Sequence, residues 1–174
     1  MKEFVARKIP ALGIEPAVNV ALVAQEAGIP TINRFFGSAL ARELVGQGLG
    51  ADLIIANNVL AHVPELNDFV GGFKILLKPK GVLTIEVPHL LRLMEGVQFD
   101  TVYHEHFSYF SFLAAEKLMG SHGLQIFDVE RLETHGGSLR LHVTHQENAV
   151  SHGPGVSSLR EEELSAGLLG IEGY

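Results

Sequence analysis

The chain has 174 residues, 47% of them apolar, and a formal net charge of −7. That is enough apolar side chain for one core and the wrong sign for general binding to nucleic acid. It has no cysteine, which excludes a disulfide scaffold and a cysteine zinc site, and its apolar runs are too short to span a bilayer. Met1-Lys2-Glu3-Phe4 carries no signal-peptide pattern, so the cytoplasm is the expected compartment.

Lys8 to Glu15 reads as a short buried strand with Pro10 near its start. Pro16 to Ala27 reads as a helix stopped by Gly28, and Ile29 to Asn33 as a second strand. Ser38 can cap a helix reaching Val45. The run Leu53-Ile54-Ile55 within Ala51 to Ala56 has the continuous apolar character of a central parallel strand. Leu66, Val70, Phe73 and Leu77 form one stripe of a helix over Glu65 to Leu77. The turn Lys78-Pro79-Lys80-Gly81 leads to a strand from Val82 to Val87. His89 to Gly96 predicts a short helix, and Ser111 caps another that stops near Gly123. Leu124 to Leu132 and the alternating Ser138 to Thr144, joined through His135-Gly136-Gly137, predict an antiparallel hairpin.

This order predicts an α/β fold, doubly wound, with a mostly parallel sheet and an antiparallel C-terminal hairpin. Residues 1–145 are expected to form that domain. From residue 146 the composition turns to Gly, Ser, Glu and His, which predicts a weakly ordered tail or the start of a further domain, with one short helix from Ser158 to Leu169.

Glu15 closes the first strand in Gly13-Ile14-Glu15-Pro16. Ligands of doubly wound folds bind beyond the carboxyl ends of the strands, where such an acid can accept both hydroxyls of a ribose. An ordinary glutamate favoured by a helix N-terminus is the alternative. A glycine-rich loop precedes this acid by about 20 residues in such folds. Residues 1–14 hold no Gly-x-Gly pattern, so a first strand is expected to be missing and a sheet edge to be exposed, free to pair with a second copy.

Phe99 to Ser111 is the most distinctive stretch. Tyr103-His104-Glu105-His106, followed by Tyr109, gathers two imidazoles, a carboxylate and two phenols, a mixture that packing alone does not call for. His104 and His106 would face one way on a strand and could join Glu105 or His62 on a divalent ion. Glu105 would point opposite, however, and no His-Glu-x-x-His pattern is present, so no metal is expected.

Asn57-Asn58-Val59-Leu60-Ala61-His62-Val63-Pro64 after the central strand, and the later Leu77-Lys78-Pro79-Lys80-Gly81, resemble class I S-adenosylmethionine-dependent methyltransferases. Ala56 to Phe73, Glu86 to Leu90, Phe99 to Ser111 and Thr134 to Arg140 resemble more narrowly the C-methyltransferases of nucleotide-linked deoxysugars. The resemblance runs from about Gly13 to about His145 and implies a Rossmann-like methyltransferase fold. It implies S-adenosylmethionine as cofactor and a nucleotide-sugar substrate, with no nucleic acid or membrane as partner. Family members also carry an N-terminal zinc domain, the glycine loop and a C-terminal domain, none of which this sequence shows.

By the same resemblance His106 is the base that removes a proton next to the sugar ketone. Glu105 orients a partner or a hydroxyl, and Tyr103 and His62 bind the sugar or its carbonyl. Glu15, Asn57 and Asn58 hold the cofactor, with Phe35, Phe36 and Gly37 near its adenine. Phe35 and Phe36 in the core and Asn57 and Asn58 as turn formers are the alternatives. A non-catalytic docking module and a nicotinamide-dependent oxidoreductase fragment are the rival functions. Thr134 to Ser138 reads as a hairpin turn, with approach of its backbone to the substrate as the alternative, and His122, His142, His145 and His152 read as surface residues.

Overall fold

The computed structural model describes residues 1–173, without the side chain of Glu172. Helix α1 (Lys2–Ala6) is followed by strand β1 (Gly13–Ile14), helix α2 (Val18–Glu26), strand β2 (Thr31–Ile32) and helix α3 (Ser38–Gly46). Strand β3 (Ala51–Asn57), helix α4 (Leu66–Leu76), strand β4 (Leu77–Pro88) and helix α5 (Leu90–Glu95) come next. Helix α6 (Phe112–Ser121), strands β5 (Leu124–Leu132) and β6 (Ser138–His145) and helix α7 (Pro154–Ser165) complete the main elements.

Two sheets result: the parallel pair β1–β2, and a four-stranded sheet in the order β3-β4-β6-β5. β3 and β4 are parallel, whereas β6 is antiparallel to both β4 and β5. The α/β architecture with an antiparallel C-terminal hairpin is thus the one its sequence predicts. The first strand is shorter than expected. Lys8 sits at φ 57°, Ile9 and Leu12 are exposed, and only Gly13 and Ile14 pair, with Thr31 and Ile32. An extended segment becomes a strand only where a ladder satisfies its backbone groups, and among the described residues β1 has a neighbour on one side only. β3 is likewise a free edge, with Leu53 and Ile55 exposed by 45% and 47%, as expected of a sheet with no strand inserted there.

The core lies on one face of the larger sheet. Leu83, Ile85 and Val87 alternate along β4 and face the same way as Leu139, Leu141 and Val143 of β6. They join Val70 and Phe73 of α4 and Phe112 and Met119 of α6. Residues 78–81 leave the pairing, because the register jumps from Ala51–Leu77 to Leu53–Val82. Ser111 caps α6 by accepting the N–H of Ala114 at 3.1 Å.

Two expectations differ from the structure. Residues after 146 do not pack apart from the domain: α7 begins at Pro154, and its Val156 and Leu159 are fully buried in the main core. Their apolar side chains are few, so composition hides them. His145 is buried rather than on the surface, its Nε2–H donating to the Leu77 carbonyl at 2.9 Å. Among the described residues no helix is long and apolar enough to cross a membrane.

Candidate active site

β3 and β4 run parallel with Asn57 opposite Glu86, so the segments that leave their carboxyl ends meet. Asn58 takes φ 52°, a left-handed conformation that asparagine tolerates, and donates its N–H to the Glu86 carbonyl at 2.9 Å. The chain then turns through a short 3₁₀ helix, Leu60–His62. Leu60 and Ala61 are buried, which anchors the turn and leaves His62 on its open side.

The carbonyl of Ala61 accepts the N–H groups of Phe107 and Ser108 at 2.8 and 3.3 Å, holding the Tyr103–His106 segment over this turn. His62 returns the contact, with Nδ1 at 3.0 Å from the Glu105 carbonyl. Nδ1 of His106 lies 3.0 Å from the Thr101 carbonyl. Carbonyl oxygens only accept, so both rings carry hydrogen on Nδ1 and keep Nε2 for other partners. At His106 that partner is the Tyr103 hydroxyl, 3.3 Å away. The His106 ring centroid is 4.4 Å from that of Tyr103, 4.8 Å from that of His62 and 5.6 Å from that of Tyr109.

His62, Tyr103 and His106 line a cavity of about 140 Å³, with Asn58, His89, Gln98 and His135 also in its wall. Asn58, His62, Tyr103 and His106 are thus brought together, as one site requires. Glu105 and His104 are exposed and absent from the wall. Glu105 contributes its carbonyl, while His104 only edges the Tyr103 ring at 6.4 Å. Among the described residues no group of three His, Cys, Asp or Glu side chains is placed to hold a metal ion. His135 and Gln98 join the wall as well, and Gln98 was not singled out in the sequence. His135 takes φ 54° in its turn, and Gln98 donates to the Gly136 carbonyl at 2.9 Å.

Beneath Asn58, Glu86 is 6% exposed. It accepts from Arg140 Nη2 at 3.2 Å, from Thr134 Oγ1 at 3.4 Å and from Asn58 Nδ2 at 3.5 Å. This buried carboxylate ties the β6 turn to the end of β3.

Glu15, Phe36 and Asn57 lie outside the cavity. Glu15 follows β1, and its Oε1 accepts the Ala17 N–H at 2.8 Å. Its Oε2 and the Asn57 side chain have no partner among the described residues. These open polar groups suit a ribose and an amino-acid moiety, and so fit a cofactor at the strand ends. Phe36 packs against Phe69 and Phe73, each with its ring centroid 5.3 Å away, which makes it part of the core wall.

Residues 2–129 match the family model described as a methyltransferase domain. The chain is 36% identical over 163 residues to C-methyltransferase NovU of Streptomyces niveus, covering 94% of this chain and 39% of that protein; it therefore spans about two-fifths of that relative's length. A magnesium protoporphyrin IX methyltransferase from Synechocystis with bound SAH superposes with a TM-score of 0.58 at 15% identity, covering 77% of this chain and 63% of the other. A SAM-dependent methyltransferase from Thermotoga maritima, a possible histamine N-methyltransferase, gives 0.56 at 17% identity, covering 82% and 75%. At these identities the likeness is one of fold.

Proposed function

This chain belongs to the methyltransferase domain family, whose cofactor is S-adenosylmethionine, and from that premise we propose that its cavity is the acceptor site of a C-methyltransferase acting on a nucleotide-linked deoxysugar. The similarity to C-methyltransferase NovU supports methylation at carbon. The observation that carries the reading is the tautomer of His106: Nδ1 is committed to Thr101, which leaves a basic Nε2 beside Tyr103.

Nε2 of His106 takes a proton from the carbon next to the sugar ketone, and the C–H electron pair becomes the enolate. An imidazole suits this task because its proton affinity matches neutral pH. The Tyr103 O–H, now donating to His106, turns to the enolate oxygen as charge develops there. His62, with Nδ1 committed to the Glu105 carbonyl, offers Nε2 to a sugar hydroxyl. In this scheme Glu105 orients its partner through its backbone. Glu15, Asn57 and Asn58 would hold the cofactor, with Phe36 bordering its adenine. When bound, S-adenosylmethionine would supply an electrophilic methyl group for the enolate carbon, its sulfur leaving as the neutral thioether. Holding the sugar between His62, Tyr103 and His106 would account for much of the remaining rate.

Mass spectrometry of a thymidine-diphosphate-linked ketodeoxysugar, incubated with this chain and S-adenosylmethionine, tests the proposal. A gain of one methyl group on carbon is expected; a methyl found on oxygen or nitrogen would reject it.

A further inference from the structure

Glu163 of α7 is fully buried, an expensive place for a carboxylate unless donors surround it. Its Oε1 accepts the N–H of Phe112 at 2.6 Å and its Oε2 that of Leu113 at 2.9 Å. These are the first amides of α6, which have no partner inside their own helix. Oε1 also lies 2.8 Å from Nε2 of His89. The carboxylate accepts from all three, so the imidazole contributes Nε2–H, and the neutral ring keeps its lone pair on Nδ1.

His89 follows β4 directly and is only 2% exposed, yet it lines the cavity of His62 and His106. Among the described residues every side-chain nitrogen or oxygen sealed from solvent has a hydrogen-bond partner. Nδ1 of His89 has none, so it is the atom left to the cavity. His89 is also held by its backbone: its N–H donates to the Gly137 carbonyl at 3.0 Å, and the Leu90 N–H donates to the Phe110 carbonyl at 2.9 Å.

We propose that His89 is a further substrate-binding residue, whose Nδ1 accepts a hydroxyl of the acceptor sugar, and that Glu163 is a positioning residue that fixes the tautomer needed for it. The inference rests on the reading of the cavity as the sugar site and adds a recognition contact to it. A sugar hydroxyl is the matching chemistry, since the ring offers a lone pair and a hydroxyl brings the donor. Site groups built to pair with a hydroxyl discriminate strongly against analogues that lack it.

Long-range proton–nitrogen NMR of the full 174-residue chain reads both ring nitrogens of each histidine without any substitution. The added probe is a thymidine-diphosphate-linked ketodeoxysugar. His89 is expected as the Nε2–H tautomer, and its Nδ1 resonance should move with the probe, together with the resonances of His62 and His106. Movement at His62 and His106 with none at His89 overturns this inference and leaves the cavity reading intact. No movement at any of the three removes the cavity reading and this inference with it. In Glu163→Gln the amide can no longer accept from all three donors, so His89 should become a mixture of tautomers. Retention of the pure Nε2–H form in that variant would overturn the positioning role.

Discussion

The carbonyl of Thr101 lies 3.0 Å from Nδ1 of His106 and decides which nitrogen of that ring is free. The Glu105 carbonyl does the same for His62. Two imidazoles of one cavity thus owe their tautomers to backbone carbonyls, so their orientation follows from the fold of residues 101–106 rather than from a charged partner.

Replacing Tyr103 by phenylalanine removes the donor to His106 Nε2 and keeps the tilted ring contact at 4.4 Å. In the proposed reaction the same hydroxyl turns to the developing enolate oxygen, and losing one such donor costs about 10²–10³-fold in rate. Tyr103→Phe should therefore lower kcat/KM by about 10²–10³-fold, read by initial rates of methyl transfer, with no change in thermal midpoint.

Leu159 of α7 is fully buried in the same cluster as Leu141 and Phe112. Leu159→Ala should cost about 2–5 kcal/mol of the stability of the whole domain, measured by urea unfolding as a single transition. A separately unfolding tail would show two transitions and an unaltered main midpoint.

The Glu162 carboxyl is held below its ordinary value of 4.5, first by the hydrogen bond from Arg131, against the opposing effect of burial, and then by the charges of Arg131 and Arg92. A depressed carboxyl adds stability above its unfolded value and loses it as pH falls through the lower folded value. Thermal midpoints should thus decline below about pH 4.5, and Glu162→Gln should show a smaller decline over the same range. Equal declines in both proteins would remove the Glu162 contacts as the cause.

Leu53 and Ile55 project from the free edge strand β3. Such edges pair with other chains, so sedimentation should show self-association that rises with concentration. Ile55→Lys should shift the population towards monomer, since a charge on an edge discourages pairing.

The alternation of strands and helices made the fold legible, and β5 begins and ends at the expected Leu124 and Leu132. Tyr103 and His106 were legible as one site because three residues of separation keep them together. His89 and Glu163 were not, being 74 residues apart in sequence and joined only by packing. The length of β1 was illegible for a related reason: a ladder depends on its neighbour, and the residues of Lys8 to Leu12 say nothing of who that neighbour is. His145 was misjudged because its partner, the Leu77 carbonyl, is supplied by another strand.

The central claim, that His106 withdraws a proton next to a ketone, can be read before any methyl moves. The chain is incubated in deuterium oxide with a thymidine-diphosphate-linked ketodeoxysugar, and deuterium at the carbon next to the carbonyl is followed by NMR. Exchange is predicted with the unaltered chain, slowed by about 10²–10⁴-fold in His106→Gln, the range of general base catalysis. Exchange at equal rates in both, or none with the sugar demonstrably bound, would contradict the account.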